Sequence, residues 1–90
     1  MNHALLDILA LLRAGHWTQA HDQVQRLDSP EAAWMHALVH AQEGDLENAE
    51  YWYGKAGRDI RRRGSLGDEL DALERKLRDG EPPPVPATPD

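Results

Sequence analysis

The chain has 90 residues, with 10 Lys or Arg against 16 Asp or Glu and a net charge of −6 with its five histidines neutral. That balance excludes a nonspecific DNA binder, whose phosphate contacts need a clustered excess of cations, and the absence of cysteine excludes disulfides and thiolate ligands and suits a reducing compartment. The length allows a single domain, expected over residues 1–80, while Glu-Pro-Pro-Pro-Val-Pro-Ala-Thr-Pro-Asp at 81–90 has too little apolar surface to fold and is expected to be a disordered, solvated tail.

Met1 to Leu12 is apolar enough to suggest a secretory leader, yet it has no basic start and Asp7 interrupts it. Leu5, Ile8, Leu9 and Leu12 recur at helical spacing, so the segment reads as a first core helix. No run approaches the roughly 18 apolar residues that span a bilayer, and a soluble cytoplasmic protein is expected. Leu6 and Leu11 make this helix apolar on more than one side. In so small a domain, that predicts a homodimer as a further source of stability.

Gly15 can turn the chain by adopting a left-handed conformation, and a second helix follows through Trp17 and Ala20. Ser29-Pro30-Glu31 has a capping hydroxyl followed by proline at the first helical position, which starts a third helix. Trp34, Ala37, Leu38 and Ala41 form its apolar stripe, and Met35 and Val39 widen it, so this helix should lie in the middle of the fold. Gly44 ends it and Asp45 caps the fourth helix. There Leu46, Ala49, Tyr53, Ala56 and Ile60 fall on one face.

The basic run Arg58 to Arg63 follows, expected to sit favourably at the negative end of a helix dipole. Ser65 with Asp68 resembles a capping box, and Leu66, Leu70, Leu73 and Leu77 make the stripe of a fifth helix ended by Gly80 and Pro82. Its flanks and outer face are expected to carry Glu69, Asp71, Glu74, Arg75, Lys76 and Arg78.

Gly44-Asp45, Ala49, Trp52, Tyr53, Lys55 and Ala56 match the spacing of a Sel1-type repeat, and Gly15 to Ala20 repeats the Gly-to-Ala interval 29 residues earlier. On these residues the chain resembles the tetratricopeptide and Sel1-like helical repeats over residues 4–62. The offset is shorter than the 34 residues of a tetratricopeptide unit, and the first unit lacks the aromatic pair. The resemblance implies an all-α fold of two antiparallel helical hairpins closed by a C-terminal capping helix. It also implies a small non-catalytic module that binds a protein or peptide partner.

The residues offer three places to look for function. His36 and His40, four apart on the third helix, could share a metal ion with Glu43. His21 or Asp45 would be the nearest further ligand. The segment lacks the glutamate that a His-Glu-x-x-His protease sets beside its first histidine, so histidines lining a concave surface are the favoured reading and no bound metal or other cofactor is expected.

Trp17, Trp34 and Tyr53 project onto core faces, whereas Tyr51 projects away from the core and Trp52 falls on a flank beside Asn48 and Lys55. His36, His40, Asn48, Tyr51 and Trp52 are therefore the expected partner-binding residues of helices 3 and 4. The alternative for Trp52 is packing against the fifth helix. Ser29 and Ser65 are explained as caps, no phosphate-cradling glycine loop occurs, and no catalytic constellation is expected. Pro83 and Pro86 give the tail a Pro-x-x-Pro spacing without a flanking cation.

Overall fold

Glycines close the first, third and fourth helices, and short polar side chains start the third, fourth and fifth, in a chain of five α-helices. In the computed structural model, which describes residues 3–79, these are α1 (His3–Arg13), α2 (Trp17–Val24), α3 (Pro30–Glu43), α4 (Leu46–Lys55) and α5 (Leu66–Arg78), with a 3-10 turn at Ile60–Arg62. There is no strand among the described residues. The expected helix stop at Gly80 and Pro82, and the tail at 81–90 with its proline spacing, lie outside them.

The helix ends repeat one geometry. At the end of α1, the His16 N–H donates to the Leu11 carbonyl (2.8 Å) and the Gly15 N–H to Leu12 (3.0 Å), with Gly15 at φ 85°. At the end of α3, Asp45 donates to His40 (2.9 Å) and Gly44 to Ala41 (3.1 Å), with Gly44 at φ 86°. Both are Schellman closures, in which two N–H groups beyond the helix satisfy carbonyls that have lost their intrahelical donors. The starts of α3, α4 and α5 are satisfied by side chains, whereas His16 before α2 makes no such cap. Ser29 Oγ accepts from the Ala32 N–H (3.0 Å), Asp45 Oδ1 from Asn48 (3.3 Å) and Ser65 Oγ from Asp68 (3.1 Å).

α3 is the central helix, packed against α1, α2, α4 and α5. Every residue from Ala32 to Val39 is buried, which follows from a helix that carries no charge between Glu31 and Glu43 other than what its two histidines can acquire. Ala20, Ala37 and Ala49 have no exposed surface, so the backbones of α2, α3 and α4 approach closely there. Leu5, Ile8, Leu9 and Leu12 from one side and Leu70, Leu73 and Leu77 from the other complete the core. Each fully buried leucine contributes about 1.5–3 kcal/mol. Leu6 and Leu11, the extra apolar residues of α1, pack half-buried against this same core. No helix among the described residues is long and apolar enough to cross a membrane.

Four features of the expected pattern are corrected. α4 ends at Lys55, because Gly57 at φ 74° closes it, so Ile60 reaches the core from the 3-10 turn rather than from the helix. The Asp59 carboxylate starts that turn by accepting the Arg61 N–H (3.0 Å), so the Arg61–Arg63 run lies in and after the turn, beyond the end of α4. Trp17 (38% exposed) and Leu46 (50% exposed) are not core residues. Each is the first residue of its helix, beside a tight turn, where the apolar face overhangs the neighbour it should cover. Leu66, first in α5, is only half-buried for the same reason.

The fourth correction is Glu69, which is 7% exposed rather than on an outer face. Its Oε1 accepts from Tyr53 Oη (2.6 Å) and Trp34 Nε1 (3.2 Å), and its Oε2 accepts from the Gly64 N–H (3.1 Å). Burial pushes this carboxyl up, but the Tyr53, Gly64 and Trp34 donors and the charge of Arg58 pull it down more strongly, and it lies below its ordinary value. The Arg58 guanidinium lies 3.7 Å over the Trp34 ring. An ionised carboxylate thus ties α3, α4 and the loop before α5 together. The Tyr53 hydroxyl, raised by burial and by Glu69, stays protonated and available as a donor.

Candidate functional site

Helical spacing puts His36 and His40 one turn apart on α3, and the packing of α2 against α3 brings His21 to them. His21 Nε2 and His36 Nε2 are 3.1 Å apart, and the ligand nitrogens of all three rings lie within 4.8 Å of one another. The ring centroids form a near-equilateral set, with His21–His36 at 4.8 Å and both His21–His40 and His36–His40 at 5.1 Å.

The Trp52 indole of α4 stacks on the free face of His36, at 3.9 Å between centroids and 10° between planes. His36 is therefore held between two flat rings and is 6% exposed. This corrects its expected place on a surface opposite the core: α2 and α4 flank α3 on either side, so the face away from Trp34 is covered as well. Burial, together with the neighbouring His21 and His40, pushes His36 down to about 4, which leaves the ring neutral around pH 7 with a lone pair to offer.

His40 is oriented from its other side. Its Nδ1 lies 3.0 Å from Glu43 Oε1 and 4.0 Å from Asp45 Oδ2. Glu43, a candidate ligand, lies with His40 and Asp45 close enough to hold an ion; as placed it engages His40 Nδ1, which leaves Nε2 as the nitrogen free to accept or ligate. Asp45 is engaged by Asn48, whose Nδ2 donates to Asp45 Oδ2 (2.7 Å) while its N–H is capped by Oδ1. Those hydrogen bonds from Asn48 hold the Asp45 carboxyl below its ordinary value. Asn48, expected in the groove, belongs to this cap.

The expected partner-binding residues separate into two groups. His36 and Trp52 line a groove of about 550 Å³ between the α2–α3 loop and α4, together with Arg26, Leu27, Pro30 and Lys55. Tyr51, 57% exposed, stands outside it, edge-on to Trp52 at 5.3 Å. The Lys55 ammonium lies 5.6 Å from the Tyr51 ring centroid and 5.7 Å from that of Trp52, so the rim of the groove is cationic and aromatic. Trp52 packs on His36 rather than on the fifth helix.

Arg26 and Leu27 of the α2–α3 loop, and Pro30 at the start of α3, were not expected here. A loop wall has no periodicity to betray it, and the one cue was the exposed Leu27 beside charged neighbours. Chemically the site offers three imidazole rings converging on one point and, beside them, a half-apolar cleft. A scan against protein-family models and searches of curated proteins and of solved structures find no match to this chain.

Proposed function

We propose that the chain is a small non-catalytic interaction module of tetratricopeptide-like design, two helical hairpins and a capping helix, that binds a peptide segment of a protein partner through the groove between the α2–α3 loop and α4. The observation that carries this reading is the groove itself, with Trp52 fixed by its stack on His36 and the Lys55 ammonium at the rim. A tryptophan already immobilised loses little entropy on binding, and a half-exposed indole in a cleft is the kind of anchor that dominates interface energies. Arg26, which also pairs with Asp22 at 3.7 Å, and Lys55 outnumber the one lining carboxylate, Asp28, and so favour a segment with acidic residues flanking an apolar anchor. The matching closures at Gly15 and Gly44 support the two-hairpin reading.

Selection of a displayed peptide library on the full chain tests the proposal. The expected outcome is a family of acidic, apolar-anchored peptides whose affinity falls about 30-fold or more in Trp52→Ala, the loss typical of an anchor residue, and falls less in Tyr51→Ala. If helicity is intact and Trp52→Ala binds the selected peptides as well as the parent does, the groove is not the binding surface.

A further inference from the structure

We propose that His21, His36 and His40 form a binding site for one first-row transition-metal ion of the zinc type, with a fourth coordination position left to water or to an incoming ligand. The proposal does not depend on the peptide-binding reading. It starts from what three converging imidazoles can do without an ion. The Nε2 atoms of His21 and His36, 3.1 Å apart, can share one proton in a single N–H···N hydrogen bond. A third ring nitrogen lies within 4.8 Å of both, and one shared proton cannot serve all three. One cation accepts all three lone pairs at once.

The distances suit such an ion. Zinc–nitrogen bonds of about 2.0–2.1 Å at tetrahedral angles set neighbouring ligand nitrogens about 3.3 Å apart, and the His21–His36 pair is already within a few tenths of an ångström of that. The remaining gap closes if the His40 ring turns slightly about its contact with Glu43, which keeps Nδ1 on the carboxylate.

The surroundings are also those of a metal site. His40 presents Nδ1 to Glu43 at 3.0 Å, the carboxylate–histidine pairing that fixes the tautomer of a ligating ring. His36 is held in plane by Trp52, so the central ligand is positioned before any ion arrives. The carboxylates of Glu43 and Asp45 lie 3.0 and 4.0 Å from His40, close to where a cation would sit. Neutral nitrogen donors without thiolate or a carboxylate cage select zinc, cobalt, nickel or copper over magnesium and calcium. His3 and His16, both exposed and on other parts of the surface, take no part.

Titration calorimetry of the full chain with zinc chloride, after removal of metal with a chelator, reads the site directly, and cobalt(II) absorption reports its geometry. The expected result is saturation at one ion per chain and the visible bands of tetrahedral cobalt. His21→Gln and His40→Gln should each weaken binding by at least about tenfold. Glu43→Gln should weaken it by roughly tenfold, the usual loss when an outer carboxylate is removed, and His3→Gln and His16→Gln should leave it unchanged. Only partly buried side chains are altered in His21→Gln and His40→Gln, and circular dichroism establishes that both remain folded. Absence of saturable binding in the parent chain overturns the proposal, as does binding that survives in folded His21→Gln or depends on His3 or His16.

Discussion

Glu69 is the residue whose alteration most directly tests the account of the fold. In Glu69→Gln the side chain keeps its volume but offers one carbonyl oxygen where the carboxylate offered two. If that oxygen stays with Tyr53 and Trp34, the new amide group faces the Gly64 N–H, donor against donor; if the amide is turned round, two donors are stranded instead of one. A stranded buried donor costs about 1–3 kcal/mol, and exchanging two charge-assisted bonds for neutral ones costs about 1 kcal/mol each. The expected loss is therefore about 3–5 kcal/mol, toward the lower end because Gly64 is exposed and water can take up its N–H. At roughly 0.05–0.15 kcal/mol per residue, the whole domain has only about 4–13 kcal/mol to lose.

Urea unfolding followed by circular dichroism should show that loss, and the melting temperature should fall by about 10 °C or more. Glu69→Ala, which strands all three donors and opens a cavity, should be less stable still. The pH dependence fixes the cause. Because the folded state holds this carboxyl below its unfolded value, its contribution is complete above about pH 4.3 and is lost as the pH falls through the folded value. The gap between parent and Glu69→Gln should therefore be widest near neutrality and shrink in acid. A loss under about 0.5 kcal/mol, or a gap equally wide at pH 7 and pH 3, would refute the reasoning.

Two glycines should respond in opposite directions. Gly54→Ala adds a methyl group in the last turn of α4 with nothing within 4 Å of it, and should stabilise the protein by at most about 0.5–1 kcal/mol in urea titration. Gly44→Ala meets equally open space but must hold φ 86°, and should cost about 1–2 kcal/mol in the same assay. Arg13 reaches from α1 to Asp71 (2.8 Å) and Glu74 (2.9 Å) on α5, but all three groups are well hydrated, so Arg13→Ala should cost no more than about 1 kcal/mol, and less in high salt.

Much of the backbone was legible because its determinants are local. Ser29, Asp45 and Ser65 cap the helices that their spacing announces, and Gly15 and Gly44 turn the chain where a left-handed residue was required. The apolar stripes of α1 and α5 read correctly except at the first residue of α5, since period alone says nothing of where one helix overhangs another. Glu69 was misread for a related reason. Its period places it on the edge of the Leu70–Leu73–Leu77 stripe, and whether an edge carboxylate is solvated or buried depends on donors from Trp34, Tyr53 and Gly64, up to 35 residues away. No local pattern carries that information.

The candidate site divides along the same line. His36 and His40 share a face by helical spacing, and that much is written in α3. His21 joins them only through the packing of α2 on α3, and Trp52 only through the packing of α4. The 29-residue offset shows why this meeting has no second copy in the chain. The positions that correspond to His36 and His40 in the first unit are Asp7 and Leu11, and the position that corresponds to His21 in the second is Glu50. Likewise His16 stands where Asp45 would be expected and makes no side-chain cap, whereas Asp45 caps α4 and lies near His40. The three histidines thus converge between α2 and α3, at positions whose counterparts 29 residues away are Asp7, Leu11 and Glu50. The turns that make the scaffold are repeated and the residues that could bind are not, which is the distribution expected when a common helical frame carries a site of its own.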